Sequence, residues 1–266
     1  MKGIRLVGRR GALVLLFMTF ACAPSNPRSS SAFAAADAPT LAVLLVIDQL
    51  RADLLTGYDD LFTGGLRRLL DDGYQFTNAT HDHSMTTTGP GHTTLSTGVY
   101  PSRHGIVGND WSEIRDGELQ RMYCVQDGSS PILGFPELTG RSPRNILRPG
   151  LADWISDADP GARVVSLSKK DRGAIGLAGQ AKGEVYWIVE RGGGFVTSDF
   201  YHSEYPEWIA DFNANTMPLI YSDTLWESSV PLKARALTRP DTSRFELRGE
   251  YTAFPHVAGE LADRND

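Results

Sequence analysis

Apolar residues fall along this chain in two kinds of block, unbroken runs and helically spaced repeats. Residues 41–47, LAVLLVI, form an unbroken run rich in Val, Leu and Ile. A run of that length without alternation predicts a strand buried on both faces, as in a parallel sheet covered by helices. Leu61, Phe62, Leu66, Leu69 and Leu70 then recur at helical spacing until Asp71-Asp72-Gly73 closes the segment. Residues 74–77 predict a second strand, which leads into a polar loop. A helix is expected to start near Thr88 to Gly91 and to run to about Thr97, with Gly98 as its stop. Farther on, the pattern predicts a helix over 146–155, a strand over 163–167 and short strands over 185–189 and 194–197. Strands alternating with helices argue for an α/β fold with a parallel-rich sheet sandwiched by helices. No internal repeat is visible.

The first residues follow another pattern. Lys2, Arg5, Arg9 and Arg10 form a basic start, and residues 11–21 are apolar and short. That is the layout of a secretory signal peptide, too short for a membrane-spanning helix. Two cleavage readings stand side by side. Thr19-Phe20-Ala21-Cys22 resembles a bacterial lipoprotein box, with Thr19 where Leu is usual, and Ala32-Phe33-Ala34 offers a small-x-small site for ordinary signal peptidase. Arg9-Arg10 adds a twin-arginine hint. The Pro/Ser-rich residues 24–31 read as the tether that follows a lipidated cysteine, which favours a lipid anchor at Cys22 and a periplasmic or outer-membrane location. Residues 1–36 are therefore assigned to signal and tether, and residues 37–266 to a folded domain. Of the two cysteines, Cys124 is left without a partner once Cys22 is lipidated or removed, so no disulfide framework is expected.

Composition narrows the function only slightly. Hydrophobic content of 41% and charged content of 22% are ordinary for a globular protein. The formal net charge of -6 argues against a protein that coats duplex nucleic acid, which needs a basic face. A phosphorylated small molecule stays open, because local charge can oppose net charge.

Three features can carry chemistry. Asp48 ends the first apolar run, and ligands bind at the carboxyl edge of open α/β sheets; an Asp there can equally cap the next helix. Thr88 stands before Gly89-Pro90-Gly91-His92, so its hydroxyl and nearby N–H groups would face outward at a helix start that favours an anion. A threonine hydroxyl is a poor nucleophile unless a base or metal lowers its pKa; the alternative is a polar capped helix. Lys170 and Arg172 flank Asp171, and in an extended segment that spacing puts both cations on one face. Two cations on the transferred group favour a phosphate monoester dianion over a diester. Alone, such a triplet reads as a solvated turn. His81 and His83 read as polar surface, and His202 and His256 have no ligand-like neighbours.

Taken together, D-Q-L-R-A-D from Asp48, T-x-x-G-H-T from Thr88, P-x-x-H-G-I-x-G-N from Pro101 and S-K-K-D-R-G-A-I from Ser168 resemble the alkaline phosphatase superfamily, which includes the nucleotide pyrophosphatases and phosphodiesterases. The likeness runs from about Leu41 onward and is nearest the Lys/Arg-containing bacterial alkaline phosphatases. Tyr205-Pro206-Glu207-Trp208 and Phe212-Asn213 look like that branch's insert region. The resemblance implies that Asp48 binds zinc, that Thr88 is the metal-bound nucleophile, and that Asn109, Lys170 and Arg172 contact the phosphoryl oxygens. His92 and His104 would be structural. It further implies two zinc ions, held by an Asp…His pair, an Asp-His pair and a late His that the sequence does not offer. Asp48 and Thr88 would serve one ion only, and zinc takes about four ligands. The expectation is thus the amino-terminal half of an exported zinc phosphomonoesterase, incomplete at the C-terminus and inactive alone. A nucleotide pyrophosphatase or phosphodiesterase, and a non-enzymatic anion-binding remnant, are the alternatives.

Overall fold

The computed structural model of the chain describes residues 39–189, 194–220, 225–245 and 249–257. The signal, tether and lipid-anchor expectations, Cys22 included, lie outside them. The chain divides into two units, Met1–Leu45 and Val46–Asp266. The described part of the first carries no helix or strand.

The expected first strand does not form. Leu41, Val43, Leu45 and Ile47 are more than half exposed, and no strand includes them. An apolar run becomes a buried strand only where neighbouring strands take up its backbone groups and layers cover both faces. Residues 74–77 also fail to form a strand, with Tyr74 and Phe76 almost fully exposed. The helical repeat around Leu61 and Leu70 is split into α1 (Ala52–Gly57), a 3-10 turn and α2 (Gly65–Asp72), because Gly64-Gly65 interrupts it.

From Thr88 onward the expectations hold better. Helix α3 (Thr88–Thr97) begins after an extended Thr87, and ends where Gly98 adopts φ 64° and returns its N–H to the Thr94 carbonyl. Helix α4 (Pro101–His104) takes Pro101 at its first turn, where a missing N–H costs nothing. Strands β1 (Asp110–Arg115) and β2 (Glu118–Tyr123) form a hairpin around Asp116-Gly117, both at positive φ. Helix α5 (Leu151–Ala158) lies later than the expected 146–155, starting at the extended Gly150.

Strand β3 (Val165–Ser168) runs parallel to β4 (Glu184–Ile188), with α6 (Asp171–Ala178) as the crossover, and β5 (Phe195–Val196) pairs antiparallel with β4. Helix α7 (Glu207–Asp211) runs through a π turn into α8 (Met217–Ile220), and β6 (Leu225–Trp226) pairs with β7 (His256–Val257). The class is α/β, as expected. The described strands form three small sheets: β3–β4–β5, in which the β3–β4 pairing is parallel, and the antiparallel pairs β1–β2 and β6–β7.

The core joins the hairpin end to the crossover unit through Ile106, Cys124, Ile146, Ile175, Val185 and Trp187. Helices α3 and α6 approach closely because Gly176 has no side chain. A Cβ there would meet Thr93 Oγ1 at 3.1 Å and His92 Cβ at 3.4 Å. Gly173 lies against the His92 ring, and Ser96 Oγ donates to the Leu177 carbonyl at 2.9 Å. Those pairings run in the same direction along both helices, which brings Thr88 and Lys170 to the same end.

Candidate active site

Four elements deliver the site. Asp48 is presented by a turn whose next residue, Gln49, has φ 64°, and not by a strand end. Thr88 opens α3, and its hydroxyl donates to Asp48 Oδ2 at 2.9 Å. Lys170 is the extended residue before α6, and its Nζ lies 3.3 Å from the same carboxylate oxygen. Burial raises the Asp48 carboxyl, but the bonds from Thr88 and Lys170 outweigh it and hold the pKa below the ordinary carboxylate value.

Asn109 sits after α4. Its Oδ1 accepts the Gly89 N–H at 2.8 Å, which fixes the amide beside the first turn of α3. Gly89 makes this possible, since a Cβ there would press on Cys124 Sγ at 3.1 Å and Asn109 Oδ1 at 3.2 Å. The buried Cys124 thiol has its pKa pushed up to about 12, which leaves it a packing residue.

Arg172 differs from the extended-segment expectation. Asp171 opens α6, so Lys170 is extended while Arg172 is already helical, and Lys170 bonds Asp48 where Arg172 bonds Tyr123. Arg172 Nη1 donates to Tyr123 Oη at 3.0 Å, and its Nε is buried with no partner. Tyr123 Oη donates to Asp171 Oδ1 at 2.5 Å, and Arg141 Nε donates to Asp171 Oδ2 at 2.5 Å. Arg141 also lies over the Tyr123 ring at 4.8 Å. Burial, then Asp171, pushes the Tyr123 phenol well above its ordinary pKa, so it stays a protonated donor. Sequence reasoning missed Tyr123 and Arg141, since neither carries a local motif.

His92 Nδ1 bonds the Thr88 carbonyl at 2.9 Å, and burial lowers its pKa. His104 Nδ1 accepts the Ile106 N–H, so its Nε2 carries the proton and donates to Thr94 Oγ1 at 3.0 Å; burial lowers its pKa to about 4. Both rings are bonded through nitrogen to neighbouring protein groups. His83 is bonded to Met85 and Thr94, His202 to Tyr186, and His256 lies among Trp226, Tyr251 and Phe254. In the expected insert region, Tyr205 bonds the Leu133 carbonyl and Asn213 pairs with both backbone groups of Phe195.

Asp48 Oδ2 and Thr88 Oγ1 are hard oxygen donors close enough to share one ion, and they fit zinc as part of its ligand set. Among the described residues no group of three His, Cys, Asp or Glu side chains is gathered to hold a metal. The remaining ligands of a zinc centre would therefore have to come from elsewhere.

Over residues 42–251 the sequence matches the profile of type I phosphodiesterase / nucleotide pyrophosphatase. It is 34% identical over 234 residues to the alkaline phosphatase PhoV of Synechococcus elongatus, across 85% of this chain and 42% of that protein. It is 34% identical over 212 residues to the alkaline phosphatase PafA of Elizabethkingia meningoseptica, across 78% and 38%. The crystal structure of wild-type alkaline phosphatase PafA superposes with a TM-score of 0.74 at 32% identity, across 82% of this chain and 42% of that one. A PafA variant with a threonine, an asparagine, a lysine and an arginine replaced superposes with a TM-score of 0.73 at 30% identity. This chain spans about two fifths of the length of the relatives it matches.

Proposed function

For a chain that belongs to the type I phosphodiesterase / nucleotide pyrophosphatase family, we propose that it carries the nucleophile half of an exported, zinc-dependent phosphatase acting on phosphate monoesters. The observation that carries the reading is the Thr88 hydroxyl bonded to Asp48, with Lys170 on the same carboxylate. The PafA variant adds support. Its four replaced residues are separated by 21, 62 and 2 positions, while Thr88, Asn109, Lys170 and Arg172 are separated by 21, 61 and 2.

In this reading Thr88 Oγ1 attacks phosphorus, the P–O bond to the leaving group breaks, and the phosphoryl group passes to Thr88. Water then attacks the phosphothreonine, releasing inorganic phosphate and restoring the hydroxyl. Asp48, with its lowered pKa, is too weak a base to deprotonate a threonine unaided. Zinc, when bound, lowers the hydroxyl's pKa and offsets charge on the phosphoryl oxygens. The chain's own residues align the hydroxyl through Asp48, hold the Asn109 amide through Gly89, and bring two cations to the transferred group. The family's name also covers diesters. Lys170 and Arg172 favour the monoester, because a dianion gains more from each cation than a monoanion does. Export follows from the basic-then-apolar start, with Cys22 as lipid anchor.

The test is acid-quench mass spectrometry of a longer protein that joins this sequence to the remaining part of its relatives' length, incubated with zinc and an aryl phosphate. A phosphoryl group on Thr88, absent in Thr88→Ala, is expected. Phosphorylation elsewhere, or turnover surviving Thr88→Ala, removes the assignment.

A further inference from the structure

Arg172 is held in an unusual way for a surface cation. Its side chain is 23% exposed, its Nε is buried and unpartnered, and the Asp171 carboxylate beside it stands 3.8 Å from Nη1, beyond hydrogen-bond reach. Among the described residues the acceptor within reach of the guanidinium is Tyr123 Oη, at 3.0 Å. That oxygen is itself oriented. Its proton is committed to Asp171 Oδ1, which turns the lone pairs toward Arg172. Asp171 is anchored at its other oxygen by Arg141 Nε, and Arg141 is fixed by the carbonyls of Thr139 and Gly140 at 2.6 and 3.1 Å. The same guanidinium lies over the Tyr123 ring, which closes a loop of contacts between the end of β2, the segment at Arg141 and the start of α6.

We propose that Tyr123 is the positioning residue for Arg172, with Asp171 and Arg141 fixing the phenol so that its oxygen aims the guanidinium at the phosphoryl group. This rests on the reading of Arg172 as a phosphoryl ligand. A neutral acceptor serves this purpose where a carboxylate would not. It orients the cation while leaving its other N–H groups free to meet the anion, and the Asp171 carboxylate 3.8 Å away offsets only part of its charge. The Asp171 carboxylate lies in ion-pair range of Arg172 but accepts its side-chain hydrogen bonds from Arg141 and the phenol. A guanidinium delivers bidentate bonds only in a fixed plane, so loss of the hydrogen bond that holds it there costs affinity without removing the charge.

Inorganic phosphate serves as the probe, titrated into the zinc-supplied protein while the arginine Nε–H signals are followed by nitrogen-15 NMR. The Arg172 signal is assigned by its disappearance in Arg172→Ala. In the parent, phosphate is expected to shift that signal. Tyr123→Phe, which keeps the ring and its packing, should weaken phosphate about tenfold, the size of one charge-assisted hydrogen bond. In the Arg172→Ala background the same substitution should change nothing further. Equal losses in the two backgrounds, or no loss in either, overturn the positioning role, because a bracing residue acting on the fold alone would not depend on Arg172. Absence of any phosphate-dependent shift at Arg172 in the parent instead overturns Arg172 as a ligand. Should Tyr123→Phe lower the melting temperature markedly, the titrations are run well below the melting transition of every variant and are held to the same criteria.

Discussion

Lys170 and Arg172 should contribute unequally to anion binding, and the structure sets the order. The perturbations are Lys170→Ala and Arg172→Ala, each alone. Lys170 is 40% exposed and its partner Asp48 36%, so the ion pair between them is screened and contributes on the order of 0–1 kcal/mol to stability. Its pull on an incoming phosphate is screened in the same way and is shared with Asp48. Removal of Lys170 should therefore weaken inorganic phosphate by up to about fivefold, the equivalent of ~1 kcal/mol. Arg172 is 23% exposed and oriented, so its charge-assisted contact falls in the range of about 1.5–3 kcal/mol, or roughly 10- to 150-fold. Coulomb energy is linear in ligand charge, so dimethyl phosphate, a monoanion, should show about half the logarithmic loss that phosphate dianion shows. Isothermal titration calorimetry at fixed zinc and moderately alkaline pH measures both ligands in the parent and both variants. Equal losses on the dianion and the monoanion, or a larger loss for Lys170→Ala than for Arg172→Ala, would refute this reasoning.

Three further outcomes are expected. The 266-residue chain supplied with zinc should turn over an aryl phosphate slowly or not at all, since Asp48 and Thr88 are two donors where a zinc site needs more; robust zinc-dependent turnover would show further ligands in place. Gly176→Val should cost about 1–3 kcal/mol in urea unfolding by forcing α3 and α6 apart, whereas Gly57→Ala, with open space at its Cβ, should change stability by no more than about 0.5 kcal/mol. The Asp127 carboxylate accepts bonds from Ser129, Ser130, Ser142 and Arg144; these outweigh its burial, and its pKa falls far below the ordinary value. A depressed carboxylate contributes stability above the unfolded pKa of about 4 and loses it as pH falls toward the folded value, so Asp127→Asn should destabilise clearly at about pH 7 and much less at about pH 2; an equal loss at both would contradict the sign.

The unequal legibility of the sequence has a physical cause. Helix α3 could be read to within a turn because its limits are set locally, by an extended Thr87 before it and by Gly98, whose αL conformation needs no distant partner. Strands β3 and β4 were legible for the related reason that the apolar runs near them are covered locally, with Val185 and Trp187 buried against Ile175, whereas helix α6 between them was not foreseen and its first residues were expected to be extended. Residues 41–47 carry the strongest apolar signal in the described chain and yet form no strand, because a buried strand depends on its neighbours and not on its own composition. The hairpin of β1 and β2 was missed for the opposite reason. Its Asp116-Gly117 turn is a clear signal, but Ile114 and Leu119 point to solvent, so no apolar alternation marks the strands. The site divides along the same line. Asp48, Thr88, Asn109, Lys170 and Arg172 sit in the short motifs that carry the family resemblance, and it is that resemblance that names them. Tyr123 and Arg141 act across 48 and 30 residues on Asp171, and each looks in sequence like an ordinary aromatic or surface arginine. What a motif records is the group that would touch substrate. What aims that group is distributed over the fold, and it becomes visible only when the guanidinium of Arg172, its phenol and the carboxylate behind it are seen in one place.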